Sequence, residues 1–294
     1  MTPLDSATTV ESAGRKPLDK EIDVFGLTHP GKVRQVNQDH FMLGSMRKTM
    51  QVYLTSLPDV EKLPLESERL AFLAMVADGV GGGTGGEEAS RLTLEVVTQY
   101  VAQSMECYYT ADASDEQTFM DVLEKAATRC HESVQQKSAQ DPERRRMATT
   151  LTLWIGVWPR GYLLQVGDSR CYLLHDGELT QITRDQTLAE ELVDRGVFTR
   201  TAAHRSRFAN VLSSSIGGPQ TAPVVTRVDL GWHNVGLLCS DGLIKHVSDE
   251  QIRERLSTMK SAKQVCEDLL QDALDGGGSD NITIIVGRAV RQEG

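Results

Sequence analysis

The order of strand-like and helix-like segments constrains the fold of this chain more than any single residue does. Between residues 148 and 183, four short apolar segments follow one another, separated by turn residues such as Asp176-Gly177. Strands that follow in series through tight turns pair antiparallel. The helix-like segments come in groups instead of alternating with strands, so the pattern predicts an α+β fold and disfavours a doubly wound parallel sheet.

Helices are predicted on both sides of this strand region. Apolar residues recur at helical spacing from Ala89 to Tyr100 and from Phe119 to Val134, so we predict two helices there, the first beginning at Glu87. Two more are predicted after residue 241, and Ser248 with Gln251 forms a capping box at the start of the first of them. The apolar stripes are typical of helix faces that pack on a core.

Composition and segment boundaries predict one large domain. The chain has 294 residues, of which we assign 22–291 to a single domain and 1–21 to a flexible leader without an apolar signal core. Residues 45–69 contain a polar, proline-containing stretch and are predicted to be an insertion or hairpin, and residues 184–218 are predicted to be irregular.

Charge and cysteine content exclude several classes of protein. The formal net charge of −10 argues against a sequence-independent nucleic-acid binder. Five cysteines without a C-x-x-C pair indicate reduced thiols instead of disulfides or a zinc site. No apolar run is long enough to span a membrane. We therefore expect a cytoplasmic monomer without nucleic-acid or membrane partners.

A glycine-rich stretch follows an apolar strand at residues 79–86. Gly81, Gly83 and Gly86 match G-x-G-x-x-G, a pattern typical of dinucleotide-binding loops. A dinucleotide site needs a further strand with an acid about 20 residues on, and the sequence shows helix-like residues there instead. A phosphate-binding loop needs Lys-Ser/Thr where this chain has Glu87-Glu88, which would repel a phosphate. Nucleotide binding is therefore disfavoured.

Five aspartates lie beside apolar strands, and four of them have glycine-rich neighbours. They are Asp39, Asp78, Asp168, Asp241 and Asp280. Each alone is explained as a turn residue. Brought together, the five carboxylates would repel one another, and hard divalent cations such as Mg²⁺ or Mn²⁺ suit such a group of oxygen ligands.

Two further residues fit a phosphate chemistry built on these carboxylates. Glycine beside Asp78 allows the Gly79 carbonyl to reach a metal ion. Two ions about 3.5–4 Å apart can activate water for in-line attack on a phosphate. Arg34, five residues before Asp39, could hold two phosphoryl oxygens bidentately, although an ordinary surface arginine is the alternative.

Seven motifs that include these residues follow one another along the chain. They are RQVNQD (34–39), VADGVGGGTGGEEAS (76–90), ATTL (148–151), VGDSR (166–170), LSSSIGG (212–218), CSDGL (239–243) and SDNITIIV (279–286). In this order they resemble the metal-dependent protein phosphatase family of the 2C type, in its bacterial form. The resemblance covers about residues 23–290.

The resemblance implies both a fold and a reaction. The expected fold is a four-layer α-β-β-α sandwich in which two antiparallel sheets face each other. The expected reaction is hydrolysis of phosphoserine and phosphothreonine on proteins by a metal-bridging hydroxide, without a phosphoenzyme. The expected partners are phosphorylated proteins, the substrates of a serine/threonine kinase, and the expected cofactors are two Mn²⁺ or Mg²⁺ ions with a third position.

The resemblance also assigns roles to individual residues. Asp78 bridges two metals and is catalytic with Arg34, the phosphate-binding arginine. The remaining implied metal ligands are the Gly79 carbonyl, Asp241 and Asp280 at one ion, Asp39 at the second ion largely through water, and Asp168 with Asp241 at a third, weaker position.

The sequence departs from the family pattern at several positions. Val80 stands where some members carry a histidine proposed as general acid, so the leaving group would be protonated by metal-bound water or another group. Gln38 replaces a common glutamate, RDQT at 184–187 replaces a common Asp-His-Ser, and the segment after His204 lacks the usual proline. The last two departures concern the segment that corresponds to the family's mobile flap.

The predicted flap, residues 184–218, carries a basic cluster in an otherwise acidic chain. Arg195, Arg200, Arg205 and Arg207 occur there with no acid between the first and the last. They either dock phosphorylated protein segments or form a solvated basic loop. A non-catalytic phosphoprotein-binding module on the same fold is the main alternative to an enzyme, and the complete aspartate set argues against it.

Overall fold

Two antiparallel β-sheets lie face to face in the computed structural model. The described residues are 15–49, 54, 68–81, 84–104, 116–140 and 147–291. One sheet has the strand order β1-β11-β10-β7-β8 and the other β2-β3-β5-β6-β9, with β4 paired to β3. The strands are β1 (Ile22–His29), β2 (Asp39–Lys48), β3 (Glu68–Val80), β4 (Ala148–Thr149), β5 (Leu151–Val157), β6 (Arg160–Val166), β7 (Arg170–His175), β8 (Glu178–Gln181), β9 (Val224–Asp229), β10 (Val235–Cys239) and β11 (Ile282–Ala289).

Helices cover the outer faces of both sheets. The helices are α1 (Thr84–Gln103), α2 (Glu116–Gln140), α3 (Leu188–Asp194), α4 (Arg200–His204), α5 (Asp241–Ile244), α6 (Asp249–Ser257) and α7 (Ala262–Asp275). Helices α1 and α2 pack on the sheet that contains β3, and α6 and α7 pack on the sheet that contains β11. This arrangement confirms the predicted α+β fold and its four-layer α-β-β-α sandwich.

Side chains that alternate along each strand point to opposite faces of the sheet, so one sheet contributes to two hydrophobic cores. In β10, Leu237 faces the helices and Leu238 faces the opposite sheet. The cluster of buried side chains between the sheets is smaller than the two helix-covered clusters, and glycines lie close to its aromatic side chains. A Cβ on Gly161, for example, would lie 2.5 Å from the Trp154 ring. A cavity of about 140 Å³ remains between the sheets and is lined in part by Phe72 and Gly236.

The pairing of β2 with β3 sets two facing residue pairs at opposite ends of one hairpin. Asp39 lies opposite Asp78 at one end, and Arg47 lies opposite Arg69 at the other. The register shifts between Met46 and Arg47, where β3 contributes one extra residue as a β-bulge. Between the two facing pairs β3 has one residue more than β2, and the bulge accommodates this extra residue.

The structure differs from the sequence prediction at the start of the domain. Residues 15–21 were assigned to the leader, yet Glu21 is buried and accepts hydrogen bonds from Arg15 at 2.6 and 2.7 Å. Asp19 pairs with Arg47 and Arg69. These ion pairs hold residues 15–21 against β2 and β3. Residues 1–14, and all of the predicted 45–69 insertion except residues 45–49, 54, 68 and 69, lie outside the described residues.

The predicted irregular segment 184–218 contains two short helices, α3 and α4. The Thr187 side chain accepts a hydrogen bond from the Glu190 amide, and the Thr199 side chain accepts one from the Ala202 amide, so each helix has an N-cap. The structure differs from the prediction in three further ways. Helix α1 begins at Thr84 instead of Glu87, and the sequence predicts neither helix α5 nor strand β9.

Other local predictions agree with the structure. Ser248 and Gln251 form the predicted capping box of α6. Asp176 and Gly177 have φ angles of 49° and 79°, as a two-residue turn between β7 and β8 requires. Within the described part of the chain, no helix combines the length and the apolar character needed to cross a membrane.

Candidate metal centre

The five predicted aspartates lie at one end of the sandwich. Asp39 begins β2, Asp78 lies near the end of β3, Asp168 follows β6, Asp241 begins α5 after β10, and Asp280 precedes β11. All except the more deeply buried Asp39 line one cavity of about 740 Å³. Its wall is formed by Arg34, Gln38, Asp78, Gly79, Val80, Gly81, Thr150, Asp168, Asn210, Leu212, Asp241, Lys245, His246, Ser279 and Asp280.

Asp39 links the two sheets through one carboxylate oxygen. Its Oδ2 accepts hydrogen bonds from the Ser240 hydroxyl at 2.7 Å and from the Thr283 hydroxyl at 2.8 Å, and both donors belong to the opposite sheet or its continuation. Its buried Oδ1 has no hydrogen-bond partner among the described residues. Buried oxygens are normally satisfied, so this atom has the capacity to accept from a bound water or a cation.

The backbone of Asp78 is fixed by two threonines of the ATTL motif. The Asp78 amide donates to Thr150 Oγ1 at 3.0 Å. The Asp78 carbonyl accepts from the Thr150 amide at 2.9 Å and from Thr149 Oγ1 at 2.8 Å. These bonds hold the end of β3 in position, so the Asp78 side chain is presented to the cavity from a rigid strand.

Gly79 is required by close packing of β3 against the loop before β2 and the first turn of α1. A Cβ on Gly79 would lie 2.4 Å from the Gly86 carbonyl oxygen and 2.8 Å from the Gln38 carbonyl oxygen. Both contacts are too short for any side chain. Gly79 and Gly86 therefore allow the helix to begin directly beside the carboxylates. Gly83 lies outside the described residues.

A left-handed glycine orients Asp168. Gly167 has a φ of 106°, and a Cβ there would lie 2.6 Å from Thr150 Cγ2. The Gly167 amide donates to Gln186 Oε1 at 2.8 Å. The turn after β6 is thus tied both to Thr150 beside Asp78 and to the start of the predicted flap.

Arg34 and Lys245 bring positive charge to the carboxylates. Arg34 holds both oxygens of Asp280, at 2.8 Å from Nε and 2.9 Å from Nη2. Lys245 Nζ lies 2.6 Å from an oxygen of Asp241 and 2.7 Å from an oxygen of Asp280. Neither cation has a direct ion pair with Asp39, Asp78 or Asp168 among the described contacts.

The pKa values reflect this uneven distribution of charge. Burial, with the negative charge of neighbouring aspartates, raises the pKa of Asp39 to about 6, that of Asp168 to about 7 and that of Asp78 well above its usual range. Burial also raises the pKa of Asp241, although Lys245 opposes the change. Burial would raise the pKa of Asp280 too, but hydrogen bonds from Arg34 and Lys245 outweigh it and the pKa is lowered.

These residues fit a divalent metal ion in donor type and in charge. The donors are oxygens, several carboxylates lack a protein cation, and Asp39 retains an unsatisfied buried oxygen. Among the described residues, no three acidic, histidine or cysteine side chains already converge as a closed ligand set. Lys245 and Arg34 hold oxygens of Asp241 and Asp280.

The predicted flap contributes Asn210 and Leu212 to the cavity wall. None of its four predicted docking arginines, all within the described residues, lines that wall. Arg195 lies 3.7 Å from Glu191, and Arg207 stacks over the Phe208 ring at 4.9 Å. A docking role for Arg195, Arg200, Arg205 and Arg207 stays a prediction.

Several residues around the site were not singled out from the sequence. Asn281 accepts from the Gln38 amide and donates to the carbonyls of Pro30 and Val36, so it anchors the loop that carries Arg34. Its position in the SDNITIIV motif was the sequence signal that could have identified it. The other site residues that were not singled out are Lys245, Thr150, Ser240 and Thr283.

Comparison with known proteins agrees with these features. The sequence profile described as Protein phosphatase 2C matches residues 65–276. The serine/threonine protein phosphatase PstP of Mycobacterium tuberculosis is 37% identical over 223 residues, which is 75% of this chain and 41% of PstP. A serine/threonine phosphatase of Listeria welshimeri is 29% identical over 231 residues, which is 76% of this chain and 86% of the relative. The chain thus spans less than half of the mycobacterial relative.

A solved structure has the same architecture. The catalytic domain of PstP in complex with two manganese ions is 30% identical, with a TM-score of 0.70 over 92% of this chain and 99% of that one. The matched profile covers more than half of the chain, and it spans Asp78, Asp168 and Asp241. The chain belongs to the protein phosphatase 2C family.

Proposed function

We propose that this protein is a metal-dependent phosphatase that hydrolyses phosphoserine and phosphothreonine on proteins. The observation that carries the proposal is the convergence of four aspartates and Arg34 on one open cavity, with Asp39 directly behind it. Family membership and the names of the relatives support the same activity.

Electrostatics explains why the reaction depends on metal. A phosphate monoester carries up to two negative charges, and a cavity walled by carboxylates repels it. Arg34 and Lys245 are the arginine and the lysine on the described wall, and both form ion pairs with Asp241 or Asp280. Cations bound to the remaining carboxylates reverse the sign of the local potential, so substrate binding and metal binding are linked.

We assign the metal-holding role to Asp39, Asp78, Asp168, Asp241 and Asp280, with the Gly79 carbonyl. Two Mn²⁺ or Mg²⁺ ions, and a third at Asp168 and Asp241, are the proposed cofactors; the manganese-bound structure of a relative supports two. When bound, such ions supply Lewis-acid activation of water and of the phosphoryl group. The rigid backbone around Asp78 keeps its carboxylate in place during this chemistry.

Arg34 is the proposed phosphate-binding residue. Its planar guanidinium already makes two parallel contacts with the two oxygens of Asp280, and a phosphoryl group presents a similar pair of oxygens. About half of the Arg34 side chain is exposed (53%), so it is accessible from the cavity. Asn281 and the loop before β2 determine where this guanidinium stands.

The proposed partners are phosphorylated proteins that a serine/threonine kinase supplies. We propose a cytoplasmic monomer of bacterial type, without nucleic-acid or membrane partners, in line with the organisms of its relatives. The predicted flap arginines would contact substrate segments outside the catalytic cavity.

An assay of the purified chain tests the activity. Turnover of p-nitrophenyl phosphate and of a phosphothreonine peptide is measured with Mn²⁺, with Mg²⁺ and with chelator, for the natural chain and for Asp78→Asn. We expect metal-dependent release of phosphate that falls at least about 10³-fold in Asp78→Asn, because Asp78 is the central ligand of the proposed centre. Asp249→Asn, at a helix start outside the cavity, is the matched control.

Two outcomes would count against the proposal. Phosphate release that chelator does not reduce would exclude a metal-dependent reaction. No release under any metal, together with binding of the phosphopeptide, would instead identify a non-catalytic phosphoprotein-binding module on the same fold.

A further inference from the structure

Lys245 occupies the point where two proposed metal ligands come together. Its Nζ lies 2.6 Å from Asp241 and 2.7 Å from Asp280, so one ammonium bridges both carboxylates. Asp241 begins the short helix α5 and Lys245 is its C-cap, four residues on, where the Lys245 amide donates to the Asp241 carbonyl at 3.0 Å. The backbone therefore delivers this ammonium to the carboxylates, and the contact does not depend on a mobile segment.

We propose that Lys245 is a built-in competitor that occupies the Asp241–Asp280 position in place of a divalent ion and thereby sets the metal affinity of that position. The proposal rests on the metal centre of the proposed function and adds a regulator to it. A divalent ion and an ammonium cannot share the same pair of oxygens, because both need the same lone pairs and the two positive charges repel each other at contact distance.

The surroundings favour competition over a purely structural ion pair. The core already holds α5 in place, since Leu243 and Val247 on either side of Lys245 are buried. Lys245 lines the same cavity as Asp78 and Asp168, and a quarter of its side chain is exposed (25%). Its flexible four-carbon stem lets the ammonium leave the carboxylates and enter the cavity when a metal ion takes its place.

Arg34 does not provide the same function. Among the described contacts, Arg34 forms its ion pair with Asp280, while Lys245 contacts Asp280 and Asp241 at once. Once a metal ion displaces Lys245, its ammonium remains within the cavity and adds positive charge near a bound phosphate. Lys245 then weakens metal binding and strengthens phosphate binding, so the two effects are separable by experiment.

Direct metal titration tests the proposal without relying on catalysis. The full chain is freed of metal with chelator, and Mn²⁺ binding is measured by calorimetry and by electron paramagnetic resonance at fixed pH and ionic strength. Lys245→Met removes the charge and keeps most of the volume, whereas Lys245→Arg keeps the charge. Lys263→Met is the matched control, because Lys263 forms an i,i+4 ion pair with Glu267 in α7, outside the cavity wall.

We expect Lys245→Met to lower the Kd for Mn²⁺ at least tenfold at one of the bound ions, and Lys245→Arg and Lys263→Met to stay within threefold of the natural chain. Thermal unfolding without metal verifies that each variant is folded. An unchanged or higher Kd in folded Lys245→Met overturns the proposal, as does equal tightening in Lys245→Arg, which would show that the charge is not the cause.

The titration separates this proposal from the proposed function. If the natural chain and every variant bind no Mn²⁺, the metal centre itself is wrong, and the role of Lys245 falls with it. If the natural chain binds Mn²⁺ and Asp78→Asn does not, but Lys245→Met binds like the natural chain, only the role of Lys245 is overturned.

Discussion

The β2–β3 hairpin carries a pair of like charges at each end, and the fold treats the two pairs differently. Arg47 faces Arg69 at one end, and Asp19 places its carboxylate against both. Asp39 faces Asp78 at the other end, and the hydroxyls of Ser240 and Thr283 donate hydrogen bonds to the Asp39 carboxylate. Like charges directly across an antiparallel pair are destabilising, so both pairs need compensation.

The arginine end receives its compensation from the chain itself. The carboxylate end lacks such an ion pair among the described residues. The ammonium of Lys245, which lies in the same cavity, contacts Asp241 and Asp280 instead. In the part of the chain that the structure describes, no cation forms an ion pair with Asp39 or Asp78, so protons or bound cations are the expected compensation for their charge. The two ends of the hairpin thus differ: the like charges of the arginine end are paired with a carboxylate of the described chain, and those of the aspartate end have no such ion pair within the described ranges.

The largest expected effect is a gain of stability at the carboxylate end. Asp39→Asn should raise the unfolding free energy of the metal-free chain at pH 7.5, by an amount on the order of a few kcal/mol. The folded-state pKa of Asp39 is about 6 against an unfolded value near 4, and each tenfold change in proton affinity corresponds to about 1.4 kcal/mol. Urea unfolding measures the gain, and a loss of stability would contradict the comparison.

The pH dependence of the same measurement has a defined sign. Raised carboxyl pKa values mean that the folded state holds protons that the unfolded state has released, so stability of the metal-free chain falls as pH rises from about 4 to 7. Asp39→Asn should flatten this fall. An equally steep profile in the variant would assign the effect to other groups.

Next in size is the loss of phosphate binding when one arginine at the carboxylate end is removed. Arg34→Ala should lower kcat/KM for p-nitrophenyl phosphate by about 100-fold, which corresponds to about 2.7 kcal/mol, because a bidentate contact to the phosphoryl group is lost. Arg47→Ala removes an arginine from the other end and should stay within about twofold. Equal losses in both variants would break the functional distinction between the ends.

A smaller effect is expected when the arginine end loses its carboxylate. Asp19→Asn should lower the unfolding free energy by about 1 kcal/mol, since it removes the carboxylate that pairs with both Arg47 and the largely buried Arg69. Turnover should not change. A variant that keeps its stability but loses activity would show that the two ends are coupled.

The smallest expected effect concerns the cavity between the sheets. A Cβ on Gly236 would lie 3.8 Å from the Gly287 carbonyl oxygen, an ordinary contact distance, and Gly236 lines that cavity. Gly236→Ala should therefore stabilise the chain by about 0.5 kcal/mol without changing turnover. Thermal unfolding detects the shift, and destabilisation would indicate that the cavity wall has no room for a methyl group.

The sequence predicts the sandwich and the positions of its carboxylates because both depend on local patterns. The apolar stripes of α1 and α2, the turn at Asp176-Gly177 and the capping box at Ser248 are short-range signals. Each aspartate directly follows or precedes an apolar strand, and strands of one sandwich end together. The metal-binding roles themselves remain predictions for the titration to test.

The missed elements lack such local patterns. Strand β9 lies at a sheet edge and is largely exposed, so Val224–Asp229 shows little apolar alternation. Asp19 belongs to a polar stretch whose order comes from ion pairs with Arg47 and Arg69, 28 and 50 residues away. Lys245 contacts Asp280 across 35 residues, and only its spacing from Asp241 was readable in the sequence.

The bulge at Met46/Arg47 also makes the strand register at the Asp39–Asp78 pair different from the register at the Arg47–Arg69 pair. A one-residue slip along β2 would turn Asp39 to the opposite face of the sheet. The bulge absorbs such an offset before it reaches Asp39 and Asp78, because the extra residue of β3 is accommodated beside Arg47. An offset of one residue at the Arg47 end of the hairpin is therefore compatible with an unchanged pairing of Asp39 with Asp78.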